Sequence, residues 1–149
     1  MAIARSLPGL RLPTVGEVCW LHEELCRRMH WDPALRELAA LELALVLLYR
    51  EAEELRRGSK KEHLARCGAR LLFELVHYRP FRQGNVALAW MALLHLLNTN
   101  GFQVRASSEA IYRMLRSIEA GDPERIYRWL LRRMRLIGPV GRAESTADA

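Results

Sequence analysis

Hydrophobic positions in this chain recur at three- and four-residue steps along most of its length, the spacing that gathers them on one face of an α-helix. Val15, Val18, Cys19, Leu21, Leu25 and Met29 make the first stripe, opened by Pro13-Thr14, with Glu17 at capping-box distance from Thr14. Asp32-Pro33 reads as an N-cap followed by proline at the first helical position. A second helix is therefore predicted from there through Leu35, Leu38, Leu41, Leu45, Leu48 and Leu55 to Gly58. Ser59 and Glu62 repeat the capping-box spacing and open a third helix, which Pro80 stops near His77 or Tyr78.

The next segment has no polar face. Val86 to Leu97 is apolar at every position except His95, and a helix apolar all round belongs in the interior. This helix is predicted to run through the domain centre, with His95 as a hydrogen-bonded core residue, and Asn100-Gly101 to stop it. Ser107 or Ser108 caps a fifth helix running to Gly121, and Asp122-Pro123 opens a sixth that stops before Gly138-Pro139. No strand-like alternation and no internal repeat is visible. The pattern predicts an all-α domain over residues 1–139, six helices around one buried central helix, followed by a small, polar, disordered tail over 140–149.

Composition narrows the class. Half of the 149 residues are hydrophobic, too many for an intrinsically disordered chain. No apolar run reaches the roughly 18 residues of a membrane span, and Met1 to Leu12 has no apolar stretch of signal-peptide length, so a cytoplasmic protein with no membrane partner is expected. Cys19, Cys26 and Cys67 form no CxxC pair and read as buried free thiols. His22, His30 and His63 share no ligand spacing, so no metal site is expected.

The net charge of +6 favours a polyanionic partner. Among 23 cationic residues only Lys60 and Lys61 are lysine, a bias that reads as genome composition acting on codon choice. Arg125, Arg128, Arg132 and Arg135 recur at helical steps opposite Ile126, Leu130 and Met134. With Arg113 and Arg116 they could contact nucleic-acid phosphates. The alternative is a solvated face, favoured here because no aromatic interleaving suggests base stacking.

Between the third and fourth helices lies His77-Tyr78-Arg79-Pro80-Phe81-Arg82-Gln83-Gly84-Asn85. A Gly-Asn turn feeding a helix N-terminus is either an ordinary turn or an anion site, with free N–H groups and the helix dipole aimed at the ligand. The run Arg79 to Asn85, the apolar helix after it and Leu97-Asn98-Thr99-Asn100-Gly101-Phe102 together resemble the Fic/Doc (Fido) superfamily, most closely its death-on-curing (Doc) toxin branch. The motif of that family reads His-Pro-Phe-x-Asp-Gly-Asn-Lys-Arg. Val18-Cys19-Trp20-Leu21-His22-Glu23 resembles its early Leu-His-Glu helix, and Ala69 to Val76 the helix leading into the motif. The resemblance runs from about Leu12 to Arg133.

That resemblance implies the Fic/Doc helical domain, a nucleotide such as ATP, and transfer of a nucleotide monophosphate or phosphoryl group to a protein hydroxyl. For Doc-type toxins it implies translation elongation factor Tu as target and a cognate antitoxin as partner. The departures fall on the chemistry. Arg79 stands where the family has its base, and a guanidinium cannot be deprotonated in proteins. Gln83 stands where the family's acid holds magnesium, and a neutral amide is a poor anchor for that ion. Val86 and Ala87 replace the phosphate-contacting Lys-Arg, and the region of the family's target-docking flap, Tyr49 to Gly58, reads as helix.

The expectation is a degenerate Doc-like protein lacking ordinary transfer, with Arg79, Phe81, Arg82, Gln83, Gly84 and Asn85 as candidate anion or nucleotide contacts. The alternatives are an active toxin using His77 as relocated base with Arg79 and Arg82 on the phosphates, and a nucleic-acid module using the arginine stripe. His77 reads equally as a cap on the third helix's carbonyls. Leftover apolar surface on the first helix could support a dimer.

Overall fold

A computed structural model describes residues 6–7, 9–118 and 121–138. Among the described residues six helices form: α1 (Val15–Met29), α2 (Leu38–Glu54), α3 (Lys60–Tyr78), α4 (Asn85–Thr99), α5 (Ser108–Arg116) and α6 (Pro123–Arg133). The expected all-α class is the class observed. The predicted caps also form. Thr14 with Glu17 and Ser59 with Glu62 close full capping boxes, Ser107 caps α5, and Asp122 caps α6 ahead of Pro123.

The central position belongs to α3, which packs against α2, α4 and α6. Leu41, Leu45 and Leu48 of α2, Leu64, Leu71, Leu72 and Leu75 of α3, and Leu88, Leu93, Leu96 and Leu97 of α4 are fully buried. The apolar run of α4 had pointed to that helix as the centre. Instead it buries one face, leaves Val86, Trp90 and Leu94 half-buried and exposes Met91, because its packed neighbours (α1, α3 and the strand after it) lie on one side. His95 lies on that outer side, half-exposed, with Nε2 4.0 Å from Glu17 Oε2; it is not a core residue.

Other boundaries differ from the pattern for identifiable reasons. The second helix begins at Leu38, not at Asp32-Pro33, because the N–H groups of Arg36 and Glu37 are drawn to the carbonyl of Pro80. It ends at Glu54, four residues before Gly58, where Leu55 turns extended. The fifth helix ends at Arg116, and the predicted stretch up to Gly121 partly lies outside the described residues. The chain also holds short strands: β1 (Ser6–Leu7) pairs with β2 (Leu10–Arg11), and β3 (Phe102–Val104) pairs antiparallel with β4 (Met134–Leu136). Strands of two and three residues are too short to display a period of two. Asn100 ties the end of α4 to β2, donating to the carbonyls of Leu96 and Arg11 and accepting from the N–H of Arg11. Among the described residues no helix is long and apolar enough to cross a membrane. The predicted tail over 140–149 lies outside the described residues.

Candidate functional site

The segment singled out by its sequence forms the turn from α3 into α4. Arg79 caps α3 in the left-handed conformation (φ 47°, ψ 61°), its N–H returning to the carbonyl of Leu75. For a residue with a side chain that conformation costs about 1–2 kcal/mol, so surrounding contacts must hold it. Arg36 supplies them: its Nη2 and Nε donate to the carbonyls of Tyr78 and Arg79, each at 2.7 Å. A guanidinium on the carbonyl end of a helix is favoured by the dipole as well as by the two bonds.

The segment before α2 lies along the turn as a strand-like cover. Pro80 accepts from the N–H groups of Arg36 and Glu37 at 2.7 and 3.0 Å, and Arg82 N–H donates to the carbonyl of Ala34. Leu35 and Phe81 form an antiparallel bridge. Asp32 N–H donates to Gln83 Oε1 at 2.7 Å, and the Arg82 guanidinium lies 3.6 Å from Asp32.

Beneath the turn, Phe81 is buried and stacks on the imidazole of His22 at 3.7 Å. His22 is itself buried, with Nε2 2.8 Å from the carbonyl of Gln83 and 3.4 Å from Cys26 Sγ. Asn85, 4% exposed, uses its whole side-chain amide on one residue: Oδ1 accepts from Phe81 N–H at 3.0 Å and Nδ2 donates to the Phe81 carbonyl at 2.8 Å. Gly84 (φ 78°) begins α4, and a Cβ there would stand 2.7 Å from Cε3 and Cζ3 of Trp31. Both the backbone and the indole therefore require glycine. No side chain caps the N-terminus of α4.

Of the candidate residues, Phe81 and Asn85 are built into the turn, and the Gln83 side chain serves Asp32. Arg79 and Arg82 are exposed, as is His77, whose ring stacks on Phe73 at 6.0 Å. His77 and Arg79 share a small cavity of about 150 Å³ with Phe73, Val76 and Ile118. Among the described residues no group of three or more His, Cys, Asp or Glu is placed to hold a metal ion. Gln83 brings no charge, so magnesium does not fit this turn as it stands. The three cysteines are free thiols: Cys26 and Cys67 are buried and Cys19 is half-buried. Burial, helped by Glu51, pushes the Cys67 thiol up to about 12, and burial with Asp32 raises Cys26. Both are protonated packing groups at neutral pH.

Sequence reasoning missed the supports of the turn. The sequence reading places His22 in the Leu-His-Glu segment and gives it no metal-ligand spacing, but assigns it no packing role, although it falls four residues from both Val18 and Cys26 on the buried stripe of α1. Trp31, Asp32 and Arg36 carry no periodic signal, because they act on residues more than forty positions away: the Trp31 indole on Gly84, the Asp32 N–H on the Gln83 side chain, and the Arg36 guanidinium on the carbonyls of Tyr78 and Arg79.

The arginine stripe is rearranged too. Arg125, Arg128 and Arg132 share α6, but Arg135 belongs to β4, and its Nη1 donates to the carbonyls of Arg132 and Met134. Two aromatic rings of α6 are stacked by arginines outside the stripe. Arg66 stacks over Tyr127 at 3.6 Å and Arg133 over Trp129 at 4.4 Å.

No family model matches the sequence, and no curated protein does. Two solved structures from Bartonella quintana are similar to it, both of the N-terminal Fic domain of a cell filamentation protein described as a VirB-translocated Bep effector. For the first, identity is 18% and TM-score 0.47, over 66% of this chain and 46% of that one. For the second, solved with bound ADP, the values are 16% and 0.42, over 85% and 51%. The chain spans about half the length of the solved chains it matches.

Proposed function

We propose that this chain is a degenerate Doc-like protein. On this reading its motif turn has lost ordinary AMP or phosphoryl transfer and serves instead as a site for an anion or a protein partner, in a cytoplasmic toxin–antitoxin setting. The supporting observation is how the polar groups of the turn are used. Asn85 clamps Phe81, and Gln83 holds the N–H of Asp32. Arg79, at the position of the family's base, is the cap of α3 and cannot take a proton. What the turn still offers a ligand is the exposed Arg82 guanidinium, held weakly by Asp32 at 3.6 Å, and the N-terminus of α4, which no side chain caps. A nucleotide phosphate such as that of ATP, or an acidic segment of an antitoxin or target, has the chemistry to meet both.

The test is incubation with labelled ATP, magnesium and translation elongation factor Tu, beside a calorimetric titration with ATP. The expected result is no transfer of AMP or phosphate, with any ATP binding at the turn indifferent to magnesium and weakened by Arg82→Gln. Transfer that disappears in His77→Ala would overturn this reading. It would support the second one, an active Doc-like transferase, for which the shared cavity of His77 and Arg79 is the favouring observation. Under that second reading, expression arrests growth and His77→Ala relieves it.

A further inference from the structure

A separate cleft of about 520 Å³ opens between α5 and α6, away from the motif turn. Its apolar floor includes Met114, Ile126 and Trp129, and Arg113 from α5 faces Arg125, Arg128 and Arg132 from α6. Residues 105–135 carry eight arginines against four acidic residues, so most of the chain's +6 is concentrated here. The cleft's own carboxylate among the described residues, Asp122, accepts from the N–H of Arg125 as the N-cap of α6.

The charges are available for a ligand. Arg113 pairs with Glu109 at 3.1 Å and Arg128 with Glu124 at 3.4 Å, both exposed pairs one helical turn apart that hold their partners weakly. Arg125 and Arg132 face no carboxylate within ion-pair distance among the described residues. Guanidinium groups converging from two helices over an apolar floor suit a molecule with a phosphate end and a flat apolar body. A volume of about 520 Å³ lies within the roughly 300–1,000 Å³ of small-molecule sites.

A nucleic-acid strand is the less suited ligand. The charge converges on a concavity and does not track along a face, since Arg135 turns back on the backbone of α6. Trp129 is the aromatic ring that lines the cleft, whereas Tyr127 carries Arg66 and lines a different hollow with Glu51 and Arg70, so successive bases have no series of rings to stack on.

We propose that the cleft between α5 and α6 binds a nucleotide-sized organic phosphate, with phosphate oxygens on Arg113, Arg125 and Arg132 and the apolar body against Met114, Ile126 and Trp129. The inference stands independently of the reading of the motif turn.

The probes are ATP without magnesium, inorganic pyrophosphate and a single-stranded ten-nucleotide DNA, each titrated calorimetrically into the full chain. One ATP per chain is expected to bind in an Arg82→Gln background, which removes any share of the motif turn, and to bind about tenfold more weakly when Arg125→Gln or Arg132→Gln is added, the loss typical of one charge-assisted contact. Pyrophosphate should bind more weakly than ATP because it lacks the body, and Arg28→Gln on the far end of α1 should leave ATP affinity unchanged. Both cleft arginines are exposed, and unchanged thermal unfolding of their variants will exclude a folding defect.

Absence of ATP binding at millimolar concentration would overturn the proposal. So would ATP binding that survives both cleft variants in the Arg82→Gln background, and complete loss with Arg82→Gln alone would move the nucleotide to the motif turn. Binding of the ten-nucleotide strand about a hundredfold tighter than ATP, lost in the same variants, would assign the surface to nucleic acid instead.

Discussion

Replacing Asn85 tests whether the asparagine of the motif turn is structural. Its side chain is almost wholly buried, and both ends of its amide are engaged by the backbone of Phe81. Asn85→Leu keeps the branched shape but cannot hydrogen-bond, leaving the N–H and the carbonyl of Phe81 buried without a bond. Each such group costs about 1–3 kcal/mol, against which the added apolar contact returns about 1 kcal/mol, so the expected net loss is about 1–5 kcal/mol. Asn85→Asp keeps the acceptor for Phe81 N–H but sets an oxygen against the Phe81 carbonyl, and should fall between wild type and Asn85→Leu at neutral pH only if the carboxyl takes up a proton. The assay is urea unfolding followed by circular dichroism, with midpoint and slope both recorded. Asn85→Leu within 0.5 kcal/mol of wild type at unchanged slope would refute the reasoning and return Asn85 to the list of groups available to a ligand.

Other perturbations probe the same supports. Gly84→Ala forces a side chain into left-handed backbone and against the Trp31 indole, and is expected to cost about 2–4 kcal/mol in the same assay; in a Trp31→Leu background the packing share of that loss should disappear. Arg36→Ala should cost about 2 kcal/mol and raise amide hydrogen exchange at the end of α3, since two carbonyls lose their charged donor. Arg70→Met strands Glu74, which is 5% exposed, and because Arg70 itself is partly solvated about 2–3 kcal/mol is expected, recovered largely by adding Glu74→Gln. The Cys67 thiol titrates near 12 when folded and near 9 when unfolded, so its contribution is whole below pH 9 and declines by about 1.4 kcal/mol per unit as the unfolded thiol ionises. Urea midpoints from pH 8 to 11 should therefore fall more steeply for wild type than for Cys67→Ala, and equal slopes would show that burial does not hold the proton.

What the sequence determined by itself is local. Capping boxes at Thr14 and Ser59, the Ser107 and Asp122 caps, proline at the head of α6 and the apolar stripes of α1 to α3 depend on residues within one or two helical turns, and each is present in the fold. The all-α class and the place of the motif turn between two helices were legible for that reason. The start of α2 was not, because the Asp32-Pro33 signal is outcompeted by backbone bonds to Pro80 that only the folded chain brings within reach. Nor were the strand pairing of Phe102–Val104 with Met134–Leu136 and the outward face of α4, which depend on what lies beside each segment. The site divides the same way. Its residue types, with the arginines at 79 and 82 and the uncharged Gln83 ahead of Gly84-Asn85, are plain in the sequence. The engagement of Asn85 and Gln83 in internal bonds, the support by His22, Trp31 and Arg36, and the gathering of arginines from α5 and α6 over one cleft were decided by tertiary structure, because hydrogen bonds and charge act through space between segments that no local pattern connects.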